Sequence, residues 1–156
     1  MPESYGVPSA AGEAGLLPWA HVDERMAGAR NYWVGTTCPD GRAHAMPVWG
    51  VWSEGRLYFG TDRRSRKARN LAANHAVVVH LESGDDVVIL EGIAKEVTDP
   101  ARRAAIDQAY FTKYAVRLTD HPGEAAIYSV RPSRAFAWQE ADVPASATRW
   151  RLGEER

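Results

Sequence analysis

Short β-type runs separated by tight turns dominate this chain and most constrain its fold. Each run is rich in β-branched and aromatic residues, and most end at a turn signal such as Pro39-Asp40-Gly41 or Glu54-Gly55. One short helical stretch follows the third run, whereas parallel βαβ units need longer crossover connections. The spacing predicts a mainly β protein of the α+β kind, an antiparallel barrel of six to seven strands with a few short helices.

The boundaries of these elements follow from periodicity and from turn residues. Amphipathic spacing and helix caps predict short helices at about 18–30, 61–74 and 99–116. The predicted strands are 32–37, 42–53, 56–61, 76–82, 87–97, 126–131 and 134–139. Gly92 is expected to form a β-bulge, and Pro132-Ser133 is expected to turn the chain between the last two strands.

Length and composition indicate one domain with an arm in front of it. A chain of 156 residues is a single-domain length, and residues 1–17 are rich in Gly, Ala, Pro and Ser without a period. We therefore expect a flexible arm at 1–17 and one barrel domain at 18–156. The single Cys38 excludes an intrachain disulfide, and the sequence contains no secretory segment or long apolar run. These features predict a cytoplasmic protein with no membrane partner.

A cluster of cations marks the start of the second predicted helix. Five of the seven residues from Arg63 to Arg69 are cationic, although a helix start already carries partial positive charge and disfavours cations. Asp62 or Ser65 is available as the N-cap, and Asn74 as the stop. Backbone amides, the helix dipole and arginine side chains together form a phosphate site. A solvated charge run is the alternative, and the net charge of -1 argues against a nucleic-acid partner.

The strand predicted at 42–53 is apolar on both of its faces. Pro47 cannot donate a ladder hydrogen bond and Gly50 has no side chain, which indicates an edge, a bulge or a close approach to the backbone. Burial of both faces in a dimer would explain the pattern.

The sequence contains no self-sufficient catalytic constellation. His44 and His80 lie in predicted strands, Cys38 lies in a turn, and Ser65 lacks the Gly-x-Ser-x-Gly setting of an elbow nucleophile. No histidine or cysteine spacing fits a zinc site, so we expect no metal. His44 is a candidate general acid and equally a packed strand histidine. If the protein is an enzyme, a cofactor is expected to carry the chemistry.

Two stretches resemble the pyridoxamine 5'-phosphate oxidase-like superfamily over about residues 32–97. They are the run 52–61 and Ser65-Arg66-Lys67-Ala68 with Asn74. Pro39-Asp40-Gly41-Arg42 followed by Pro47-Val48-Trp49 is similar to the flavin/deazaflavin oxidoreductase branch of that superfamily. The resemblance implies a split β-barrel homodimer that binds FMN or the deazaflavin F420 across the subunit interface.

The resemblance also implies roles for individual residues. Ser65, Arg66 and Lys67 would hold the cofactor phosphate, and Gly60 and Thr61 would touch the cofactor. The strand that lines the tricyclic ring would comprise Ala45, Met46, Pro47, Val48, Trp49 and Gly50. The segment Arg149-Trp150-Arg151 resembles the tail of the smaller oxidoreductases, which would lie near the cofactor of a partner subunit.

Departures from the resemblance narrow the expected activity. The true pyridoxamine phosphate oxidases have an arginine where Ala45 stands and a glutamine where Val87 stands, and their C-terminal arginine-histidine signature is missing here. Vitamin B6 oxidation is therefore not predicted. Arg63, Arg64 and Arg69 would suit the oligoglutamate tail of F420. The prediction is hydride transfer between F420 and a small conjugated acceptor; an FMN-dependent oxidoreductase and a non-catalytic binding or storage protein are the alternatives.

Overall fold

The computed structural model describes residues 16–120 and 123–153. Within these residues the α-helices are α1 (Trp19–Gly28), α2 (Arg66–Ala73) and α3 (Pro100–Tyr114). The strands are β1 (Tyr32–Thr37), β2 (Ala43–Val48), β3 (Gly50–Ser53), β4 (Arg56–Asp62), β5 (Ala76–His80), β6 (Asp86–Glu96), β7 (Ala125–Gln139) and β8 (Thr148–Arg151). Single 3-10 turns occupy Leu118–Asp120 and Glu140–Asp142. None of the described helices is both long and apolar enough to span a membrane.

The strands form one antiparallel sheet that curls into a split barrel. Its main path runs β2-β1-β5-β6-β7-β4-β3, and β8 adds to β7. The two ends of this path, β2 and β3, are consecutive in the chain and are separated only by Trp49. β2 and β3 are therefore both edge strands, and the backbone at Trp49 links the two edges of the sheet. The predicted fold class is confirmed.

The barrel interior is filled by alternate residues of the strands. Tyr32, Val34, Leu57, Phe59 and Leu90 are fully buried there. Helix α1 contributes further apolar side chains to the same core. A second, smaller core lies where α3 packs on the outer face of β3, β4 and β7. On the remaining outer face, formed by β2, β1, β5 and β6, the side chains of Ala45, Val78 and Ile93 are exposed.

Local chemistry sets several helix and strand boundaries as predicted. The Ser65 hydroxyl accepts from the Ala68 amide at 3.1 Å as N-cap of α2, and Asn74 is its C-cap. The Asp99 carboxylate caps α3 in front of Pro100. The register of β6 and β7 shifts between Glu91 and Gly92, so the expected bulge is present.

Three sequence expectations are corrected. Pro132-Ser133 makes no turn: β7 continues through it as one strand of 15 residues, and the register with β6 skips Ser133. The strand predicted at 42–53 breaks at Trp49 into β2 and β3, which pair with different neighbours. The tail from residue 141, for which no strand was predicted, contains β8, whose Trp150 packs edge-to-face on Trp19 with ring centroids 5.5 Å apart.

The predicted arm at 1–17 lies mainly outside the described residues. Its last residue, Leu17, packs against the barrel core and donates its amide to the Thr148 hydroxyl at 2.9 Å. This contact joins the start of the described chain to β8.

Candidate functional site

The start of α2 is held in place by short polar contacts. The Thr61 hydroxyl, near the end of β4, hydrogen-bonds Ser65 Oγ at 2.8 Å. Asn70 is fully buried and donates Nδ2 to Thr36 Oγ1 at 3.0 Å, which fixes the helix against β1. The amides of Arg66 and Lys67 are helix-start donors without intrahelical acceptors. These two amides, the free hydroxyl hydrogen of Ser65 and the positive end of the helix dipole therefore converge at the start of α2.

The five cations of this segment fall into two groups. Arg63 forms ion pairs with Glu96 and Glu124, and Arg64 Nε lies 3.5 Å from Asp62. The other three form no salt bridge within the described residues; they are Arg66, Lys67 and Arg69. Their unbalanced charge makes the helix start a local anion-attracting surface.

Lys67 is the half-buried member of the second group. Its ammonium loses contact with water, and this burial lowers its pKa below the usual range. No described carboxylate compensates the loss. A charged amine in this setting is stabilised by an anion.

The tip of the β1–β2 hairpin lies near the same point. Arg42 Nε donates to the Asp40 carboxylate at 2.7 Å and is the main reason for that carboxyl's lowered pKa; Arg66 makes a smaller electrostatic contribution. Arg66 is therefore close to the hairpin whose second strand is β2. This places the beginning of β2 beside the start of α2.

The strand β2 is exposed over most of its length. Ala45, Met46 and Pro47 are exposed, with Met46 46% accessible, whereas Val48 is half-buried. Within the described sheet β2 pairs only with β1, so one edge of its backbone has no strand partner. Exposed apolar edge strands are typical of interaction surfaces.

Trp49 and Gly50 are part of the chain's own packing. The Trp49 ring stacks on Tyr114 at 4.7 Å between centroids. A side chain at Gly50 would lie 2.9 Å from the Tyr58 carbonyl oxygen and 3.3 Å from the Tyr32 ring. The close approach expected at Gly50 is thus made by neighbouring strands and by tyrosines.

Gly60 and Thr61 line a separate cavity of about 360 Å³. Leu118 covers Gly60, where an added Cβ would lie 2.6 Å from Leu118 Cδ2. The cavity continues past Asp62 and the Arg63–Glu124 ion pair. No residue of β2 or α2 lines this cavity.

His44 and Ala45 lie on opposite faces of β2. His44 is opposite Thr36, whose side chain is buried, and Ala45 is opposite Gly35 on the outer face. His44 Nδ1 is buried and has no hydrogen-bond partner among the described residues. Both residues border an open surface cavity of about 530 Å³ that extends over β5 and β6 to Arg134. His44 therefore retains an unused polar atom beside the candidate site.

Sequence reasoning missed the cluster around Gly50. Lys113 Nζ donates to Tyr32 Oη at 2.9 Å and to the Gly50 carbonyl at 3.0 Å, and Tyr114 Oη bonds the Gly50 amide and carbonyl at 3.0 Å. The helix predicted at 99–116 contains Lys113 and Tyr114, but local spacing does not indicate their polar partners. The cluster fixes the junction at which β2 leaves the barrel.

An antiparallel split barrel with a basic helix start beside an exposed apolar edge strand is a recognised class of cofactor-binding fold. The chain belongs to the pyridoxamine 5'-phosphate oxidase family, because residues 19–141 match the family's sequence model. This family includes flavin-dependent oxidoreductases. A comparison with curated proteins gives no match.

Solved structures share the fold. The conserved hypothetical protein Rv2991 from Mycobacterium tuberculosis is 20% identical, with a TM-score of 0.74 over 92% of this chain and 94% of that protein. A protein named F420 reductase is 23% identical, with a TM-score of 0.59 over 72% of this chain and 94% of its own. An FAD-binding protein from Mesorhizobium loti is 20% identical, with a TM-score of 0.61 over 76% of this chain and 92% of that protein. At these identities the similarity concerns the fold alone.

Proposed function

We propose that this protein is an oxidoreductase in which F420, bound at a dimer interface, exchanges a hydride with a small conjugated organic acceptor. The observation that carries the proposal is Lys67, a half-buried cation without a described carboxylate, at a helix start that already presents donors. Family membership supports the oxidoreductase class.

The helix start fits the phosphate that both candidate cofactors possess. Ser65 accepts from Thr61 and from the Ala68 amide, so its own hydroxyl hydrogen remains available to an oxyanion. Arg66 would supply a forked guanidinium and Lys67 a point charge. Together with the first-turn amides they match the charge and donor needs of a phosphomonoester.

Strand β2 fits the ring of the cofactor. Ala45 and Pro47 project from the outer face, and no described helix covers them. A flat tricyclic ring placed against an apolar edge strand would be shielded from water on that side. A second copy of the chain would shield the other side, and we propose a homodimer for this reason.

The chain's own residues would bind, orient and exclude water, whereas the bound deazaflavin supplies the hydride. The anchored phosphate would fix the ring relative to β2, which positions the acceptor in the open cavity beside Ala45. His44 has an unpartnered Nδ1 near that cavity and is our candidate for holding a proton. The protein's residues would thus position the cofactor and the acceptor, and His44 is the candidate acid.

F420 is favoured over FMN on two grounds. The similar fold of a protein named F420 reductase supports it, and Arg69, which has no described salt bridge, would suit an anionic tail. Arg63 and Arg64 support this less than the sequence suggested, because both already pair with carboxylates. FMN remains the second candidate, supported by the similar fold of an FAD-binding protein.

A binding or storage protein without turnover is the third candidate. Purified protein supplied with reduced F420 or reduced FMN and a panel of conjugated acceptors separates the three. We expect acceptor-dependent return of the visible absorbance of oxidised F420. Turnover with FMN alone would favour the second candidate, and binding without turnover would favour storage. Absence of binding by either cofactor would contradict the proposal.

A further inference from the structure

A small basic cavity lies on the outer face of the sheet where β6, β7 and β4 run side by side. It has a volume of about 50 Å³ and is lined by Arg56, Ile93, Lys95, Ser129 and Arg131. About 10–15 Å³ on this measure holds one water molecule, so the cavity has room for a group of a few heavy atoms. It shares no residue with the proposed phosphate site on α2.

The wall of this cavity contains an unsatisfied hydroxyl. Ser129 is only 7% exposed, and its Oγ has no hydrogen-bond partner within the described residues. Ser129 faces Lys95 across the β6–β7 ladder. A buried hydroxyl without a partner costs free energy, which a bound acceptor would recover.

The charges at the walls have one sign. Lys95, Arg131 and Arg56 come from three adjacent strands, and no described carboxylate lines the cavity. Both arginines also make other interactions, which leaves the hydroxyl and Lys95 as the defining pair. The positive charge of Lys95 beside the unpartnered hydroxyl attracts an anion.

We propose that this cavity binds one small tetrahedral oxyanion, of the size and charge of inorganic phosphate or sulfate. The Ser129 hydroxyl donates to it, and Lys95 with the two arginines balances its charge. The cavity is too small for a nucleotide or a cofactor ring. The site is therefore a second anion site that shares no residue with the α2 site, and Ile93 in its lining belongs to the sheet face on which a second copy of the chain is proposed to pack.

Inorganic phosphate is the probe, titrated by calorimetry at constant ionic strength. The parent protein is the double variant Arg66→Gln/Lys67→Gln, which removes the charges of the α2 site. We expect one phosphate per chain to bind this parent. Ser129→Ala and, separately, Lys95→Gln should each weaken that binding about tenfold.

Ser133→Ala is the matched control. It removes a hydroxyl from the same strand, and that hydroxyl already donates to the Glu91 carbonyl. It should leave phosphate binding unchanged. Without phosphate, Ser129→Ala should melt no lower than its parent, since the lost hydroxyl had no partner. Circular dichroism verifies that each variant is folded.

Three outcomes would overturn the inference. They are no phosphate binding by the parent variant, unchanged binding after both Ser129→Ala and Lys95→Gln, and equal thermal stabilisation by chloride at matched ionic strength. If wild type binds phosphate and the Arg66→Gln/Lys67→Gln parent does not, all of the bound phosphate belongs to the α2 site. The α2 proposal and this one can therefore fail separately.

Discussion

Lys113 places an amine among aromatic rings at the junction of β2 and β3. Its Nζ lies 4.8 Å from the Tyr32 ring centroid and 5.1 Å from that of Tyr114. Its described partners are the Tyr32 hydroxyl and the Gly50 carbonyl, both neutral. Burial lowers the pKa of Lys113 to about 8. Relative to the neutral amine, the charged form of Lys113 is therefore less stable in the folded chain than in the unfolded chain.

This shift predicts a pH dependence of folding stability. Between pH of about 8 and the lysine's unfolded pKa of about 10.4, the unfolded chain binds more protons, so the free energy of unfolding rises with pH. Lys113→Met should remove most of that rise, measured by urea unfolding from about pH 7 to 10. Tyr32 opposes the trend above about pH 10, because burial raises its pKa and only the unfolded phenol then ionises.

Lys67→Met is the control for this prediction. Burial lowers the pKa of Lys67 as well, so Lys67→Met should reduce the rise of the unfolding free energy with pH. The larger part of the rise should remain, because it comes from Lys113. Identical pH profiles for wild type and Lys113→Met would contradict the burial of Lys113.

At the scale of elements, β8 secures α1 to the barrel. Trp150 packs on Trp19 and belongs to the edge of the main core, and the hydroxyl of Thr148 accepts from the Leu17 amide. The sequence resemblance places Arg149-Trp150-Arg151 near the cofactor of a partner subunit, and this stays a prediction. The structure gives Trp150 a role in its own subunit.

Trp150→Ala is therefore expected to act on stability. It should lower the free energy of unfolding by about 2 kcal/mol, because a partly buried ring leaves the contact with α1. Cofactor affinity of the folded variant should stay within about twofold of wild type. Arg149→Ala, a neighbour in the same strand, is the control and should cost less than about 0.5 kcal/mol. A large loss of affinity with unchanged stability would instead place Trp150 at a cofactor.

Elements set by local chemistry were predictable from the sequence. The hairpin turn at Pro39-Asp40-Gly41, the Ser65 cap and the Gly92 bulge each depend on residues within a few positions. The continuous β7 was not, because it depends on pairing along β6, a remote segment, with Ser133 of β7 left as an extra residue between Pro132 and Arg134. The same distinction holds at the candidate site. The basic helix start was evident in the sequence, whereas the pairing of Arg63 with Glu96 and Glu124 required the fold.

The two faces of β2 could be separated from the sequence but not assigned to the inside or the outside of the barrel. Alternation assigns His44 and Ala45 to opposite faces, but only the pairing with β1 tells which face is the outer one. Likewise Gly50 indicated a close approach, and the approaching groups, Tyr32 and Tyr114, come from distant elements. Contacts between remote segments cannot be read from local periodicity.

At the scale of the whole molecule, the outer face of the sheet exposes several apolar side chains. Val78 is 38% exposed and Ile93 40%, and they lie on the same face as Ala45 and Pro47. Monomeric proteins rarely leave such a patch in water. We expect a second copy of the chain to cover it.

Val78→Asp tests this expectation. A carboxylate at the centre of a dimer interface would be desolvated without a partner, so the variant should be monomeric when wild type is dimeric. Sedimentation velocity measures both. Phe111→Asp, at an equally exposed apolar position on α3, is the control and should remain dimeric. A monomeric wild type would contradict the proposed interface.

The central claim is that the start of α2 holds the phosphate of a flavin or deazaflavin cofactor, and titration of purified protein with F420 and with FMN tests it most directly. We predict binding of at least one cofactor at micromolar concentration or tighter, F420 being favoured. The double variant Arg66→Glu/Lys67→Glu should weaken it by about 100-fold, because two attractive charges become repulsive. If neither cofactor binds wild type at micromolar concentration, or if the double variant binds as wild type does, the claim is contradicted.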